Sequence, residues 1–594
     1  MMKTPLGLAG IAASLRAEDS SQPAPPPGAP PTFGSAPPTG PAVSALTFAE
    51  SEKLMQVTLT PAQRDMAAAS WPTAMAGLAA RRVGPHAMAL PAGLAPALTW
   101  SPASVAHAPL PAHAPLPARD RFVRSHAAAA LPARDEDIAY APVSALSRWI
   151  ESRALSSERL TRIYLERIHR FDARLRAFIT VTADHAIAQA RAADAEIAAG
   201  HYRGPLHGIP YGVKDLLDTA GIRTTWGAEP LRDHVPTADA FVVKRLNAAG
   251  AVLLGKLSLG ALALNDVWFG GQTMNPWLPQ EGSSGSSAGP GAATAAALVA
   301  FAIGSETDGS IVSPSMRCGI TGLRPTFGRV ARTGAMTLCW SMDKLGPMAR
   351  RVEDTMLVLA AISGPDAGDV ASVPAHLDFD AGASVKGLRI GYFPEWMKTD
   401  PATDVDRAAL ASAASLGLVP VPVSLPDWPY DSLAVILLAE SAASFEDWSA
   451  DGRMDQLKMQ GPDAWPNTLR QARFLSAVDL VQSDRLRRAV ALEMARILAG
   501  VDLLLVPSLR DDMLTITNQT GHPSLTLRTG SVSVDQPRSD WGPGSMAPVR
   551  FDAPRQVPHG VTLVGRLFDE GTIARVGMAL EQAAGVASQR PPEF

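Results

Sequence analysis

Cysteine is nearly absent, with two residues, Cys318 and Cys339, in a chain of 594. Two thiols build no disulfide framework, and isolated cysteines in apolar surroundings are expected as small buried groups. Long apolar runs are missing too. No stretch reaches about 18 residues without Gly, Pro or a charge, so no membrane-spanning helix is expected. Nor is there a block of like charge. Fifty-three basic residues against 57 acidic ones leave a net charge of −4. Phosphate contacts need clustered cations, so neither nucleic acid nor a membrane is expected as a partner. What is plentiful is apolar or turn-forming, with 46% hydrophobic residues, 48 Gly and 51 Pro. That supports a sizeable core, whether as several average domains or one large fold.

The N-terminal quarter has a different texture. Lys3 precedes an apolar run from Pro5 to Leu15, the size of a signal-peptide core, but no clear small-x-small cleavage site follows. A cytoplasmic location is therefore expected, with export by a weak N-terminal signal as the alternative. Residues 21–41 hold nine prolines and read as an extended spacer. Between Leu46 and Ala68 one or two short helices are expected, with Thr60 as N-cap before Pro61. Residues 85–135 are again rich in Ala, Pro and His. The echoes at His107 and His113, and at Leu116 and Leu131, read as low complexity rather than a metal site or a solenoid. Residues 1–135 are thus expected to be a low-complexity, largely disordered extension, and 136–594 the folded domain.

Beyond Ile138 the chain alternates. Ser156 or Ser157 caps a helix carrying Leu160, Ile163, Leu165 and Ile168, a strand follows at Phe178–Thr182, and a helix from Ala183 ends at Gly200. A strand carrying Lys214 lies in HGIPYGVKDLLD, and a further helix and strand span Asp239 to Leu254. Strand character returns at Gly387–Phe393, Leu418–Val423, Val501–Pro507 and His559–Gly565, with helices from Ala439 to Gly500. Strands alternating with helices imply parallel βαβ units, hence an α/β fold with a mixed central sheet covered on both faces.

The stretch Gly282–Thr326 organises the rest. It opens as a Ser/Gly loop, becomes apolar from Ala292 to Ile303, read as a buried helix, and returns to a polar turn. Ser286 precedes the apolar segment and Ser310 follows it. Two Gly-rich turns flanking one buried element bring both serines to one place if the second folds back.

This block resembles the amidase signature of the serine amidohydrolases that use a Ser-cisSer-Lys triad. The resemblance rests on Gly285-Ser286-Ser287, Thr307-Asp308-Gly309-Ser310, Cys318-Gly319, Gly322-Leu323-Arg324-Pro325-Thr326, Gly328-Arg329-Val330 and Ser341–Pro347, with Gly208-Ile209-Pro210 and Val213-Lys214-Asp215 upstream. It spans about Ile138 to Ala584. It implies the amidase-signature fold and hydrolysis of the C–N bond of a carboxamide, a small-molecule amide, through an acyl-enzyme. Ser310 would be the nucleophile, Ser286 the relay and Lys214 the base, with the backbone of Thr307, Asp308 and Gly309 as oxyanion hole. No metal or organic cofactor is implied, and a homodimer is compatible with it.

The chemistry is coherent. A serine hydroxyl attacks only when a base takes its proton, and lysine serves as that base only when burial or a nearby positive charge holds it neutral. Val213, Leu216 and Leu217 supply apolar neighbours, and strand alternation sends Asp215 to the other face. Two positions depart from the pattern. Asp308 stands where glycine is common, and Val312 where an arginine often follows the nucleophile. The same residues admit other readings. Gly285–Gly289 satisfies G-x-S-x-G, which would make Ser287 the nucleophile of an esterase with His522 or His559 as partner. Within the family two further readings remain, a non-catalytic scaffold and a glutamine-dependent amidotransferase A-type subunit. The substrate pocket is expected from residues 390–480 and the loops after 510.

Overall fold

The computed structural model describes residues 40–55, 57–82, 84–88, 119–125, 130–538 and 550–594. The signal-like segment, nearly all of the proline-rich spacer and the repeats at His107 and His113 lie outside the described residues.

Eleven strands form one sheet. In chain order they are β1 (Phe178–Val181), β2 (Pro210–Lys214), β3 (Val252–Leu257), β4 (Phe301–Glu306), β5 (Thr321–Arg324) and β6 (Lys344–Ala349). β7 (Arg389–Tyr392), β8 (Val419–Pro422), β9 (Leu503–Pro507), β10 (Ser524–Val534) and β11 (Arg555–Gly565) complete it. Across the sheet the order is β8-β7-β9-β11-β10-β5-β6-β4-β2-β3-β1. β2 is parallel to both β3 and β4, and β7 to both β8 and β9, whereas β5, β6, β10 and β11 pair antiparallel. The sheet is mixed because helical crossovers return the chain in the same sense at β2–β3 and β7–β8, whereas the successive strands β5–β6 and β10–β11 reverse direction. Helices pack along it, among them Ser157–Leu175, Ala183–Ala198, Val352–Ile362 and Glu570–Ala584. β2, β3, β4, β6 and β9 are buried nearly throughout, Ser305 alone being half-buried. Each large side chain there, such as Phe301 or Leu345, contributes about 1.5–3 kcal/mol by leaving water.

The apolar run Ala292–Ile303 is not one helix. A helix covers Ala288–Ala295, a turn follows with Ala297 at φ 51°, and Phe301 starts β4. A short continuous apolar run suits a buried helix and a central strand equally, and periodicity does not separate them. In the region after 510, Asp511–Thr520 is helical and Ser524–Val534 pairs along the length of β11.

Within the N-terminal extension, Ala45–Met55, Pro61–Ala74 and Ala76–Arg82 are helices. Thr60 caps the second, accepting from the Gln63 amide while the Gln63 side chain accepts from the Thr60 amide. These helices dock on the region 430–479. Phe48, Trp71 and Phe474 form an edge-to-face trio with centroids 5.0–6.5 Å apart. Gln471 Nε2 donates to Ala67 O at 2.8 Å, and Arg81 pairs with Asp479 at 3.1 Å. Gly77 sits so close that a Cβ would meet the Asp431 backbone at 2.7 Å. Gly77→Ala is therefore expected to loosen this docking by about 1–3 kcal/mol. Faster proteolytic removal of the extension, with the amide-cleaving rate measured alongside, checks it.

No helix among the described residues is long and apolar enough to cross a membrane.

Candidate active site

β2 and β4 are parallel neighbours with Val213 opposite Ile303, so their carboxyl ends open on one rim. Lys214 ends β2, and Glu306 ends β4 immediately before the turn Thr307–Ser310. That register sets the Lys214 side chain beside Ser305. Its Nζ donates to Ser286 Oγ at 2.7 Å, Ser305 Oγ at 2.9 Å and Ser287 Oγ at 3.2 Å. The amine is fully buried. Burial pushes it well below the usual lysine range, against the opposing pull of the Asp343 and Glu306 carboxylates. Asp215 faces elsewhere, 3.2 Å from Lys256 and bonded by the Thr225 hydroxyl and amide.

Ser286 and Ser287 lie at the start of the helix Ala288–Ala295, and the Gly285–Ser286 peptide is cis. The Ser287 amide donates to Ser310 O at 3.1 Å, fastening the Thr307–Ser310 turn to the serine loop. The structure thus joins Lys214 to Ser286 directly and Ser310 to the same loop through its backbone. Among the described residues no hydrogen bond links Ser310 Oγ to Ser286 Oγ.

Gly309 has φ +89°, a conformation side chains disfavour, and a Cβ there would lie 3.1 Å from Leu514. Among the described residues the amides of Gly309 and Ser310 make no hydrogen bond, so both remain available to a developing negative charge. The Thr307 hydroxyl donates to Asp343 at 2.6 Å, and Asp343 also accepts from the Leu338 and Cys339 amides. The Asp308 carboxylate accepts from Asn518 Nδ2 at 3.3 Å, and Lys344 lies within its field. The departure from glycine is therefore met by a donor and a neighbouring lysine. Val312, the other departure, packs with Met316, Leu509 and Leu514.

Behind the turn, Glu306 is wholly buried. Its Oε2 accepts from the amides of Ile311 and Val312 at 2.7 and 2.9 Å, and its Oε1 from Arg324 at 2.6 Å and Asn518 at 2.9 Å. Burial raises its pKa, but Arg324 and Lys344 outweigh that and hold it below the usual carboxylate range. Sequence reasoning missed both Ser305 and this cluster. The signal for Ser305 lay in pairing the lysine strand with the strand that ends at Glu306. Asn518 stands 212 positions from Glu306, beyond any local pattern.

The esterase arrangement is not assembled. Ser287 is fully buried, donates to Ser305 O and accepts from the Ser305 amide. His559 pairs with Asp406 at 2.8 Å, and His522 bonds to Thr520. No cluster of His, Cys, Asp and Glu among the described residues is arranged to hold a metal ion.

The sequence profile of the amidase family matches residues 159–573. The chain belongs to the amidase family. Among curated relatives of this amidase is the A-type subunit of glutamyl-tRNA(Gln) amidotransferase from Anaeromyxobacter dehalogenans, 34% identical over 474 residues, covering 75% of this chain and 96% of that protein. Its counterpart from Moorella thermoacetica is 34% identical over 487 residues, covering 77% and 99%. Among solved structures, the peptide amidase from Stenotrophomonas maltophilia superimposes with a TM-score of 0.65 at 30% identity, covering 76% of this amidase and 98% of that chain.

Proposed function

We propose that this amidase cleaves carboxamides through an acyl-enzyme on Ser310, with Ser286 relaying the proton to Lys214. The observation that carries the reading is the buried Lys214 amine 2.7 Å from Ser286 Oγ, beside a turn whose Gly309 and Ser310 amides are unengaged. Ser310 Oγ adds to the carbonyl carbon, its proton passes to Ser286, and the Ser286 proton passes to the Lys214 lone pair. The tetrahedral oxyanion is held by the turn amides, the backbone of Asp308 and Gly309 shaping the hole after Thr307 anchors it to Asp343. Collapse breaks the C–N bond as the proton returns along the same path to the departing nitrogen. Water then enters by the reverse sequence and frees the acid. The two unpaired thiols fit a reducing compartment and a cytoplasmic setting.

Trapping tests this assignment. A chromogenic anilide should release amine in a stoichiometric burst, and the acyl mass should map to the peptide bearing Ser310. An adduct on Ser287, or none during turnover, would overturn the assignment. The pH profile supplies a second expectation. The working form of Lys214 is neutral, and its fraction grows as pH rises through the folded-state pKa, so kcat/KM climbs with pH along a limb below the ordinary lysine range. A flat profile would count against lysine as the base.

A second reading has its own support, since these curated relatives are amidotransferase subunits matched over nearly their whole length. On that reading glutamine is the amide hydrolysed and other proteins bind this one. Glutaminase activity that appears only with an added partner would favour it.

A further inference from the structure

A cavity of about 230 Å³ opens beside the candidate site, reaching Ser305, which bonds to Lys214, and Thr307, three residues before Ser310. Its apolar wall is Leu216, Ala335, Met336, Leu338, Trp340 and Leu345, with Thr333 and Thr337 among the uncharged polar residues that line the rest. The cation among its lining residues is Arg332, and every nitrogen of that guanidinium is already engaged. Nε and Nη2 donate to the two Asp369 oxygens at 2.8 Å each, and Nη1 donates to Trp340 O at 2.7 Å and Asp343 O at 3.3 Å. The group also lies over the Phe327 ring at 4.9 Å. Arg487, beneath the same loop, donates to Gln519 O, Ser341 Oγ and Ser341 O. The lining contains two carboxyl groups, Asp343 and Asp369, against one guanidinium.

Resting on the proposed amidase chemistry, we infer that the cavity selects amides whose recognised end is uncharged and apolar, of aryl size, and rejects those carrying a free carboxylate, glutamine included. A cavity of about 150 Å³ suffices for a benzene ring, so the volume fits, and the apolar wall gives the ring a face to pack on. A carboxylate entering would leave water without gaining a free cation, and burying an unpaired charge is strongly unfavourable. Trp340, half exposed and among the lining residues, adds aromatic surface to that wall.

The matched pair benzamide and 4-carbamoylbenzoate differs only in a carboxylate. Calorimetric titration of full-length Ser310→Ala reads binding without turnover, and benzamide should bind at least tenfold more tightly. In the wild type the same ratio should appear in kcat/KM. Met336→Arg, which places a cation in the wall, should narrow the ratio, and Trp340→Ala should raise KM for benzamide more than it lowers kcat. Equal binding of the pair, tighter binding of the carboxylate, or saturable glutamine binding to the isolated chain would overturn the inference. Selective benzamide binding to Ser310→Ala with no hydrolysis by the wild type would leave this inference standing and sink the catalytic reading alone.

Discussion

Ser310→Ala is expected to lower kcat/KM toward an anilide by on the order of 10⁴ or more, because no neighbouring group replaces the attacking oxygen. Lys214→Met should cost about 10²–10⁴, the usual contribution of a positioned base. The two losses should not add, since removing either member disables the same proton route. Ser287→Ala should cost far less. Its hydroxyl bridges Lys214 to the Ser305 backbone, so it orients the amine without lying on the route from Ser310 to Lys214. Steady-state kinetics with circular dichroism to confirm folding decides the matter. A Ser310→Ala protein that retained more than about a tenth of wild-type activity would remove Ser310 from the chemistry.

Glu306→Ala carries the largest expected effect on stability. The substitution strips Arg324 of its carboxylate partner and leaves the Ile311 and Val312 amides without an acceptor, all in fully buried surroundings. Breaking a buried pair by removing one member costs about 3–5 kcal/mol. Urea unfolding should report that loss, and activity should fall with it because the turn bearing Ser310 is what the carboxylate holds. Glu306→Gln keeps one acceptor oxygen and should fall between. A loss below about 1 kcal/mol would mean the pair behaves like an exposed one. The pH sign follows from the depressed Glu306 pKa. The stabilisation is complete above the carboxylate's unfolded value and is lost as pH falls through the folded one.

Lys214, Ser286 and Ser310 are singled out by the resemblance of their motifs to the amidase signature, whereas local pattern alone places them only on a strand and on two turns. Lys214 sits on a short apolar strand bounded by Gly and Pro, and Ser286 and Ser310 occupy Gly-rich turns on either side of an apolar segment. What escaped were pairings across distance. Ser305 meets Lys214 only because β2 and β4 lie side by side, and Asn518 reaches Glu306 and Asp308 from a helix more than two hundred positions away. The apolar stretch after Ser287 escapes a sequence reading for a different reason. Alanine-rich and β-branched residues that are buried on all sides show no amphipathic period, so its division into helix and strand is set by tertiary contacts. Asp511–Thr520 and the start of Ser524–Val534 are also tied to distant partners, Asn518 bonding to Glu306 and Leu525 pairing with Leu323. For Thr60, by contrast, the cap is a local device and was legible as such.

The docked N-terminal helices bear on how the chain is made. Arg81 contacts a residue 398 positions downstream, and Phe48 and Trp71 await Phe474. At about 5–20 residues per second, synthesis leaves those two rings without their partner for roughly 20–80 s after they emerge. During that interval an aromatic patch is open to chaperones and to other nascent chains. Aggregation of this protein should therefore depend on translation speed, and its first vulnerable surface is one whose own binding site is still hundreds of residues from being synthesised.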